Sequence, residues 1–154
     1  MDQVISIITK YFENPESDKI ITPSSDKIIT PSMVNNYVKL GTIPAPVKKK
    51  YSREHLAYLF MVCTLKQTLD MSTIQKIIPV GLDNDAIKYI YNSFVKNQST
   101  AYNYVTENIL SVAIPIFENE GENQDRLNDL LLQVASAANI FKLLTEKLSE
   151  CHKD

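Results

Sequence analysis

Two consecutive asparagines, Asn35 and Asn36, and three consecutive lysines, at 48–50, are the side chains of this chain best suited to contacting nucleic acid. An asparagine amide donates one hydrogen bond while accepting another, which matches the N6 and N7 atoms on the edge of adenine. The lysines, joined by Arg53, would pair with phosphates and give an affinity that depends on salt but not on base sequence. The alternative for both groups is an ordinary solvated surface.

Charge along the chain is concentrated around these residues. The net charge is only −2, yet residues 26–79 hold eight Lys and Arg against three acids. Residues 1–25 carry two bases against four acids, and residues 80–154 carry six against eleven. Such polarity is typical of a protein in which one face meets phosphates and the remainder maintains solubility.

The helix that carries the asparagines has clear start and stop signals. Thr30 is a good N-cap, Pro31 fits the first helical position, and Ile29 can pack against Val34 as a hydrophobic staple. Gly41 supplies the residue without a Cβ that commonly ends a helix, and the prolines after it prevent the helix from resuming. The sequence therefore predicts a short helix from Pro31 to Leu40.

Apolar periodicity predicts further helices on both sides of this one. The first covers Asp2 to Phe12, and Ser52 caps another from Arg53 to about Leu69. Ser72 and Gln75 have capping-box spacing and open a short helix to Ile78, which Pro79 ends. Asp83 caps the next helix, and a separate one begins near Thr100 and should kink or end at Pro115.

The last predicted helix follows a polar linker, ENEGEN, at residues 118–123. Its apolar residues alternate in steps of three and four, which is the heptad pattern of a helix that packs along a seam: Leu127, Leu130, Val134, Ala137, Phe141, Leu144 and Leu148. Additional apolar residues widen this face. We expect such a helix to be buried on more than one side, in part by another subunit.

A perfect tandem octad precedes the asparagine helix. SDKIITPS occurs at residues 17–24 and again at residues 25–32. Only the second copy places an apolar residue at the staple position, since the equivalent of Val34 for the first copy is Asp26, so we expect the first copy to be an extra loop. About seventeen residues then separate the first two helices, whereas a compact helix-turn-helix uses a turn of three or four.

The remaining composition argues against several classes of protein. Cys63 and Cys151 lack metal-ligand spacing, His55 and His152 are expected to be ordinary residues, and three glycines leave no phosphate-binding loop. We therefore expect no enzyme activity, no cofactor and no metal. The tyrosine-rich helices could line a pocket for a small-molecule effector, but aromatic stripes are more often core. With no signal segment and no apolar run long enough to span a membrane, a cytoplasmic protein is expected.

From Thr30 onward the chain resembles the DNA-binding domain of the MerR family of bacterial regulators. The segments that carry this resemblance are NNYVKLG at 35–41, TIPAPV at 42–47, YSREHLAYL at 51–59 and LKQTLDMSTIQKII at 65–78. The segments ITPSMVNNYVKLG and PVKKKYSREHLAYL are also similar to a bacterial MerR-like family catalogued only as a domain of unknown function, number eighteen thirty-six.

The MerR resemblance implies a winged helix-turn-helix that binds a palindromic promoter as a dimer. Asn35, Asn36 and Tyr37 fall where that family has an Arg-Tyr-Tyr segment, and Lys39 falls at a basic position. Two departures are that an asparagine replaces the family's arginine and that the wing is only a few residues long. The complete set of predicted nucleic-acid contacts is Ser32, Asn35, Asn36, Tyr37, Lys39, Lys48, Lys49, Lys50 and Arg53.

We therefore expect an all-α protein, with a MerR-like winged helix-turn-helix of minimal wing at residues 1–80 and a helical dimerisation or effector region at residues 81–154. The expected function is a transcriptional regulator that binds double-stranded DNA as a homodimer through its C-terminal helices. The alternative is an interaction module that keeps the same fold but binds a protein. The abbreviated wing, the long first connection and the acidic remainder favour this alternative.

Overall fold

The computed structural model describes residues 1–12, 28–118 and 124–151, and these residues are mostly helical. In chain order the helices are α1 (Asp2–Phe12), α2 (Pro31–Lys39), α3 (Arg53–Leu65), α4 (Met71–Ile77), α5 (Asn84–Val105), a π-helical segment (Thr106–Leu110), α6 (Ser111–Glu118) and α7 (Gln124–Cys151). The described ranges contain no β-strand, only one isolated antiparallel bridge between Val47 and Lys50. The predicted all-α class is confirmed.

Several helix boundaries follow the local signals. α1 matches its predicted bounds, and α2 begins at Pro31 behind the N-cap Thr30, as predicted. α5 begins after Asp83, whose carboxylate accepts a hydrogen bond from the Ala86 amide at 2.8 Å. The first copy of the octad, residues 17–24, and most of the predicted linker lie outside the described residues.

Two predicted boundaries are wrong. α3 ends at Leu65 rather than near Leu69, because the next residues form tight turns in which the Thr68 amide donates to the Leu65 carbonyl at 3.0 Å. α4 is capped by Asp70 and not by Ser72, since the Asp70 carboxylate accepts from the Thr73 amide at 2.9 Å. Ser72 instead donates its hydroxyl to Asp70 at 2.6 Å.

The predicted separate helix beginning at Thr100 is also wrong, because α5 continues through that residue to Val105. The helix changes from α-helical to π-helical hydrogen bonding at Thr106–Leu110. Pro115 lies inside α6 without ending it. Proline cannot donate to the carbonyl four residues earlier, and its ring crowds that carbonyl. A wider π-helical turn just before α6 is a common way for a helix to accommodate such an irregularity.

The chain divides into two compact units, residues 1–92 and residues 93–154. The first unit contains nearly all of the buried apolar side chains, with Ile8, Val34, Tyr58, Leu59, Met61, Val62 and Ile74 fully enclosed. It therefore has the core that an independently packed domain requires. The boundary predicted after residue 80 falls in the turn between α4 and α5, inside this unit, and stays a prediction.

Among residues 93–116 and 124–151 of the second unit, Leu110 and Ala113 are the buried side chains. α6 and α7 contact each other, and the rings of Tyr104 and Phe141 meet edge to face at 6.3 Å between centroids. None of the described residues of α7 is buried within this chain, and its expected burial on more than one side, in part by another subunit, stays a prediction. No helix in the described ranges is both long and apolar enough to cross a membrane.

Candidate nucleic-acid interface

The start of α2 is fixed by its cap and by two apolar anchors. The Thr30 hydroxyl accepts a hydrogen bond from the Met33 amide at 3.2 Å, which satisfies one of the amides left unpaired in the first helical turn. Ile29 is 4% exposed and Val34 is fully buried, as a hydrophobic staple requires. Both the hydrogen-bonded cap and the packing of the two apolar anchors therefore favour a helix that begins at Pro31.

The end of α2 is held from within and from α4. Gly41 has a φ of +67°, the left-handed conformation that glycine adopts without a steric penalty. The Thr42 amide then donates to the Tyr37 carbonyl at 2.8 Å. From α4, the Gln75 side-chain amide donates to the Leu40 carbonyl at 2.7 Å and to the Thr42 hydroxyl at 3.0 Å. α4 thereby fixes the C-terminal end of α2.

Four of the predicted contact residues share the exposed side of α2. Ser32, Asn35, Asn36 and Lys39 are all exposed and follow one another in steps of three, one and three, which places them on one helical stripe. Val34 and Tyr37, on the other side, are buried at 0% and 3% exposure. The polar stripe is therefore carried on a helix whose opposite side belongs to the core.

Tyr37 stands apart from the other predicted contacts. Because its ring is buried, it supports the polar stripe from beneath and is not available at the surface. Burial, with a smaller contribution from Cys63, raises the pKa of Tyr37 to about 12. Burial likewise raises the pKa of the Cys63 thiol to about 11, against an opposing effect of Lys66. Both groups therefore keep their protons at neutral pH.

The lysine triplet lies in a short hairpin with a two-residue turn. Val47 and Lys50 make an antiparallel bridge, with the Lys50 amide donating to the Val47 carbonyl at 2.9 Å. The residues between them, Lys48 and Lys49, have φ of +48° and +61°. Two successive left-handed residues are typical of a type I′ turn, which normally takes Asn-Gly because other side chains are strained there. The chain thus accepts strained backbone at the two residues where it presents adjacent positive charges.

Five exposed cations lie on α2, in the hairpin and at the start of α3. Lys39, Lys48, Lys49, Lys50 and Arg53 are all exposed, and none of them makes an ion pair within the part of the chain that the structure describes. Lys66 differs, because its ammonium group donates to the Ile28 carbonyl at 2.8 Å. Lys66 therefore ties the segment leading into α2 to the end of α3.

His55 joins α3 to the turn before the hairpin. Its Nδ1 lies 3.0 Å from the Ser52 amide and 2.7 Å from the Ser52 hydroxyl, and its Nε2 lies 3.3 Å from the Ala45 carbonyl. A backbone amide can only donate, so Nδ1 accepts and the ring proton is on Nε2, facing Ala45. His55 therefore forms a capping box and is not the ordinary residue expected from the sequence.

Gln75 and Lys66 are also positioning residues that the sequence did not reveal as such. Both act through side-chain bonds to backbone carbonyls more than thirty positions away. The spacing of Gln75 after Ser72 was a signal that it had a structural role, but the sequence did not identify the partner. Among the described residues, no cluster of three or more His, Cys, Asp or Glu side chains is arranged to hold a metal ion.

Residues 1–105 match the family described as Domain of unknown function (DUF1836), and the chain belongs to this family. The match covers the whole first unit, including α2, the hairpin and α4, and extends to the end of α5. No curated protein and no solved structure matches the chain.

Proposed function

We propose that this protein is a DNA-binding transcriptional regulator, built on a MerR-like winged helix-turn-helix and acting as a homodimer. α2 enters the major groove, where Asn35 and Asn36 contact base edges, with Ser32 and Lys39 at the flanking backbone. The lysine hairpin and Arg53 contact phosphates. The observation that carries this proposal is the combination of an exposed polar stripe on a rigidly held helix with a strained hairpin of unpaired cations.

Binding to duplex DNA at low salt tests the proposal directly. We expect the triple variant K48E/K49E/K50E to lose binding, while a charge-matched control in exposed helical positions, K10E/K88E/K96E, keeps it. Five phosphate contacts per subunit would give a slope of log affinity against log salt of about −4.5 per subunit. Failure of the unmodified protein to bind any duplex at low salt would reject the proposal.

The hairpin offers a second test that separates charge from fold. Replacing the turn residues with the pair that a type I′ turn favours, K48N/K49G, removes the left-handed strain and two charges together. We expect the free energy of unfolding to rise by about 1 kcal/mol, because the backbone strain is relieved. The salt slope should fall by roughly two, because two phosphate contacts are lost. A variant that gains stability but binds DNA as before would show that the hairpin is not at the interface.

A protein partner is the second candidate for this surface. Leu40, at the end of α2, is 51% exposed and Val47, in the hairpin, is 71% exposed, so both of these elements also present an apolar side chain to solvent. If the surface binds a protein, glutamates in the hairpin leave DNA behaviour unchanged, whereas L40D and V47D abolish capture of the partner.

A further inference from the structure

Leu40, the residue that closes α2, lies in line with one of the two asparagines. It is the C-cap of the helix, and its backbone keeps a right-handed helical conformation with φ of −76° and ψ of −5°. Residues four apart share one face of a helix, with Cβ atoms about 5–6 Å apart, and each side chain leans toward the helix N-terminus. Leu40 therefore lies next to Asn36 on the exposed side of α2.

The backbone of Leu40 is held in place from two directions. Its amide donates to the Asn36 carbonyl at 2.9 Å, and its carbonyl accepts from the Gln75 side chain at 2.7 Å. Gly41 follows in the left-handed conformation and ends the helix. The position of Leu40 relative to Asn36 is therefore fixed by the same bonds that end α2.

The side chain of Leu40 is not required by the end of the helix. The apolar contact that accompanies such a helix end normally joins the positions that Tyr37 and Thr42 occupy here, and these residues are 3% and 1% exposed. Leu40 is 51% exposed. This leucine is thus held at the surface beside an asparagine, where it can contact a ligand.

The side-chain amide of Asn36 is available at the same surface. Asn36 is exposed, and within residues 1–12, 28–118 and 124–151 its amide group makes no hydrogen bond. Such an amide has an acceptor oxygen beside a donor nitrogen, so it matches a group that presents a donor and an acceptor side by side. Asn36 and Leu40 together therefore offer a bidentate polar contact next to an apolar one.

An A·T base pair carries the complement of both side chains. In the major groove, adenine presents the N7 acceptor beside the N6 donor, and thymine presents its 5-methyl group. An asparagine amide binds this adenine edge with two hydrogen bonds, and an apolar side chain packs against the methyl group. A G·C pair has no methyl group, and its guanine presents two acceptors, which the amide oxygen cannot bind.

We propose that Asn36 and Leu40 together recognise A·T base pairs, with Asn36 bound to an adenine edge and Leu40 packed against the 5-methyl group of a thymine. Base pairs are stacked about 3.4 Å apart, so the thymine belongs to the same base pair as the adenine or to a neighbouring one. This inference rests on the proposed DNA-binding function. It adds the base pair that is recognised and a specificity-determining residue, Leu40, outside the predicted set of contacts.

Asn35 and Lys39 set the orientation of α2 in the groove. Lys39 lies four residues after Asn35, so these two side chains share the other edge of the exposed side. A lysine ammonium gains from the phosphates that border the groove, whereas a leucine side chain gains from the thymine methyl groups on its floor. The edge with Lys39 therefore faces a phosphate backbone, and the edge with Asn36 and Leu40 faces the bases.

Replacing thymine by uracil tests the apolar contact. Selection of bound duplexes from a library with a randomised centre supplies the probe, and its thymines are then replaced one at a time. Uracil lacks the 5-methyl group but pairs with adenine in the same way. We expect one of these replacements to weaken binding about fourfold, which is the value of one buried methyl group.

Variants of the protein assign this contact to Leu40. L40A should bind the thymine and uracil duplexes equally at the sensitive position. The matched control I77A truncates an apolar side chain that is 41% exposed on α4, and it should keep the fourfold preference for thymine. Each ratio compares two duplexes with one protein, so a change in the folded fraction does not alter it. An L40A protein that keeps the full preference would overturn the inference.

Replacing adenine by 7-deazaadenine tests the polar contact. This base has a C–H group in place of N7, so it retains its pairing but loses one of the two bonds to Asn36. We expect a loss of at least about fivefold at an adenine in or next to the sensitive base pair. N36A should show no such loss, whereas the control N92A, at an exposed asparagine of α5, should show all of it.

The outcomes separate this inference from the function on which it rests. Selected duplexes that bind equally well with uracil and with 7-deazaadenine at every position would overturn the inference and leave the DNA-binding function standing. Failure to select any duplex from the library would reject the proposed function, and the inference with it.

Discussion

His55 caps the start of α3 and also contacts the turn that precedes the lysine hairpin. The glutamate or glutamine that usually completes a capping box is replaced here by an imidazole, which reaches the Ser52 amide with one nitrogen and the Ala45 carbonyl with the other. At 4% exposure, the ring is also part of the core. One side chain thus caps α3 and holds the chain segment that leads into the lysine hairpin.

Substitutions at His55 should separate these two roles. We expect H55A to lower the free energy of unfolding by about 1–2 kcal/mol, since both the cap and the bond to Ala45 are lost. H55Q should lose less, because a glutamine amide can still accept from Ser52. Chemical denaturation of the three proteins measures the difference, and equal losses for H55A and H55Q would contradict the capping role.

Asp70 gives the chain a stability contribution that depends on pH. A hydrogen bond from the Ser72 hydroxyl, followed by those from the Thr73 amide and hydroxyl, lowers the pKa of Asp70 well below its usual range. A lowered carboxyl pKa stabilises the fold above the pKa of the unfolded chain, about 4, and this contribution is lost as pH falls further.

The variant D70N tests this effect because asparagine is also an N-cap residue but carries no charge. We expect its Tm to lie below that of the unmodified protein by a constant amount from pH 6 to pH 8. Below about pH 4 the gap should narrow, because Asp70 of the unmodified chain then takes up a proton in the unfolded state but not yet in the folded state. Melting curves that stay equally separated down to pH 3 would show that the cap does not depend on the charge.

At the scale of elements, α2 is the helix whose local sequence signals agree most completely with its surroundings. Its cap residue, first-position proline and terminal glycine all act as the sequence predicted. Its bounds were predictable for that reason, and so was its exposed polar stripe. The burial of Tyr37 and the bond from Gln75 were not predictable, because they depend on which other helices pack there.

The Thr30 cap can be weakened without touching the core. T30A should lower the free energy of unfolding by about 1 kcal/mol, whereas T30S, which keeps a hydroxyl acceptor, should be nearly neutral. Urea denaturation compares the two. If T30A and T30S unfold at the same urea concentration, the hydrogen bond to the Met33 amide does not contribute to stability.

Each helix boundary that was wrongly predicted from the sequence has a physical reason. Ser72 and Asp70 are both good cap residues two positions apart, and the carboxylate prevailed because it accepts several hydrogen bonds at once. α3 ends without glycine or proline, in turns adjoining the long-range bond from Lys66. The continuation of α5 past Thr100 shows that a cap residue inside a strongly helical sequence does not by itself start a new helix.

At the scale of the molecule, the two units differ in how much of their stability is internal. Residues 1–92 contain nearly all of the buried apolar side chains, whereas residues 93–116 and 124–151 bury two side chains. The family match includes all of the first unit but ends at residue 105, before α7. Burial in the second unit was not predictable from periodicity, which indicates an apolar face but not what covers it.

Hydrogen exchange should show this asymmetry directly. We expect α3 amides to be strongly protected at every protein concentration, because the core around Tyr58 and Leu59 opens only on unfolding of the unit. Protection of α7 should increase about tenfold or more between about 1 and 100 µM, as dimers form. Protection of α7 that does not change with concentration would mean that its cover comes from its own chain.

The bond between Lys66 and the Ile28 carbonyl fixes the chain immediately before α2. Residues 13–27, fifteen in all, separate Phe12 from Ile28, and removing one octad copy would leave seven. Doubling the length of a closed loop costs only about 0.6 kcal/mol in chain entropy. Because Ile28 is anchored to α3 and Ile29 to the core, an insertion upstream of them leaves the position of α2 unchanged. A longer segment before Ile28 should therefore cost little free energy, whereas an insertion between Ile28 and Pro31 would displace the polar stripe itself.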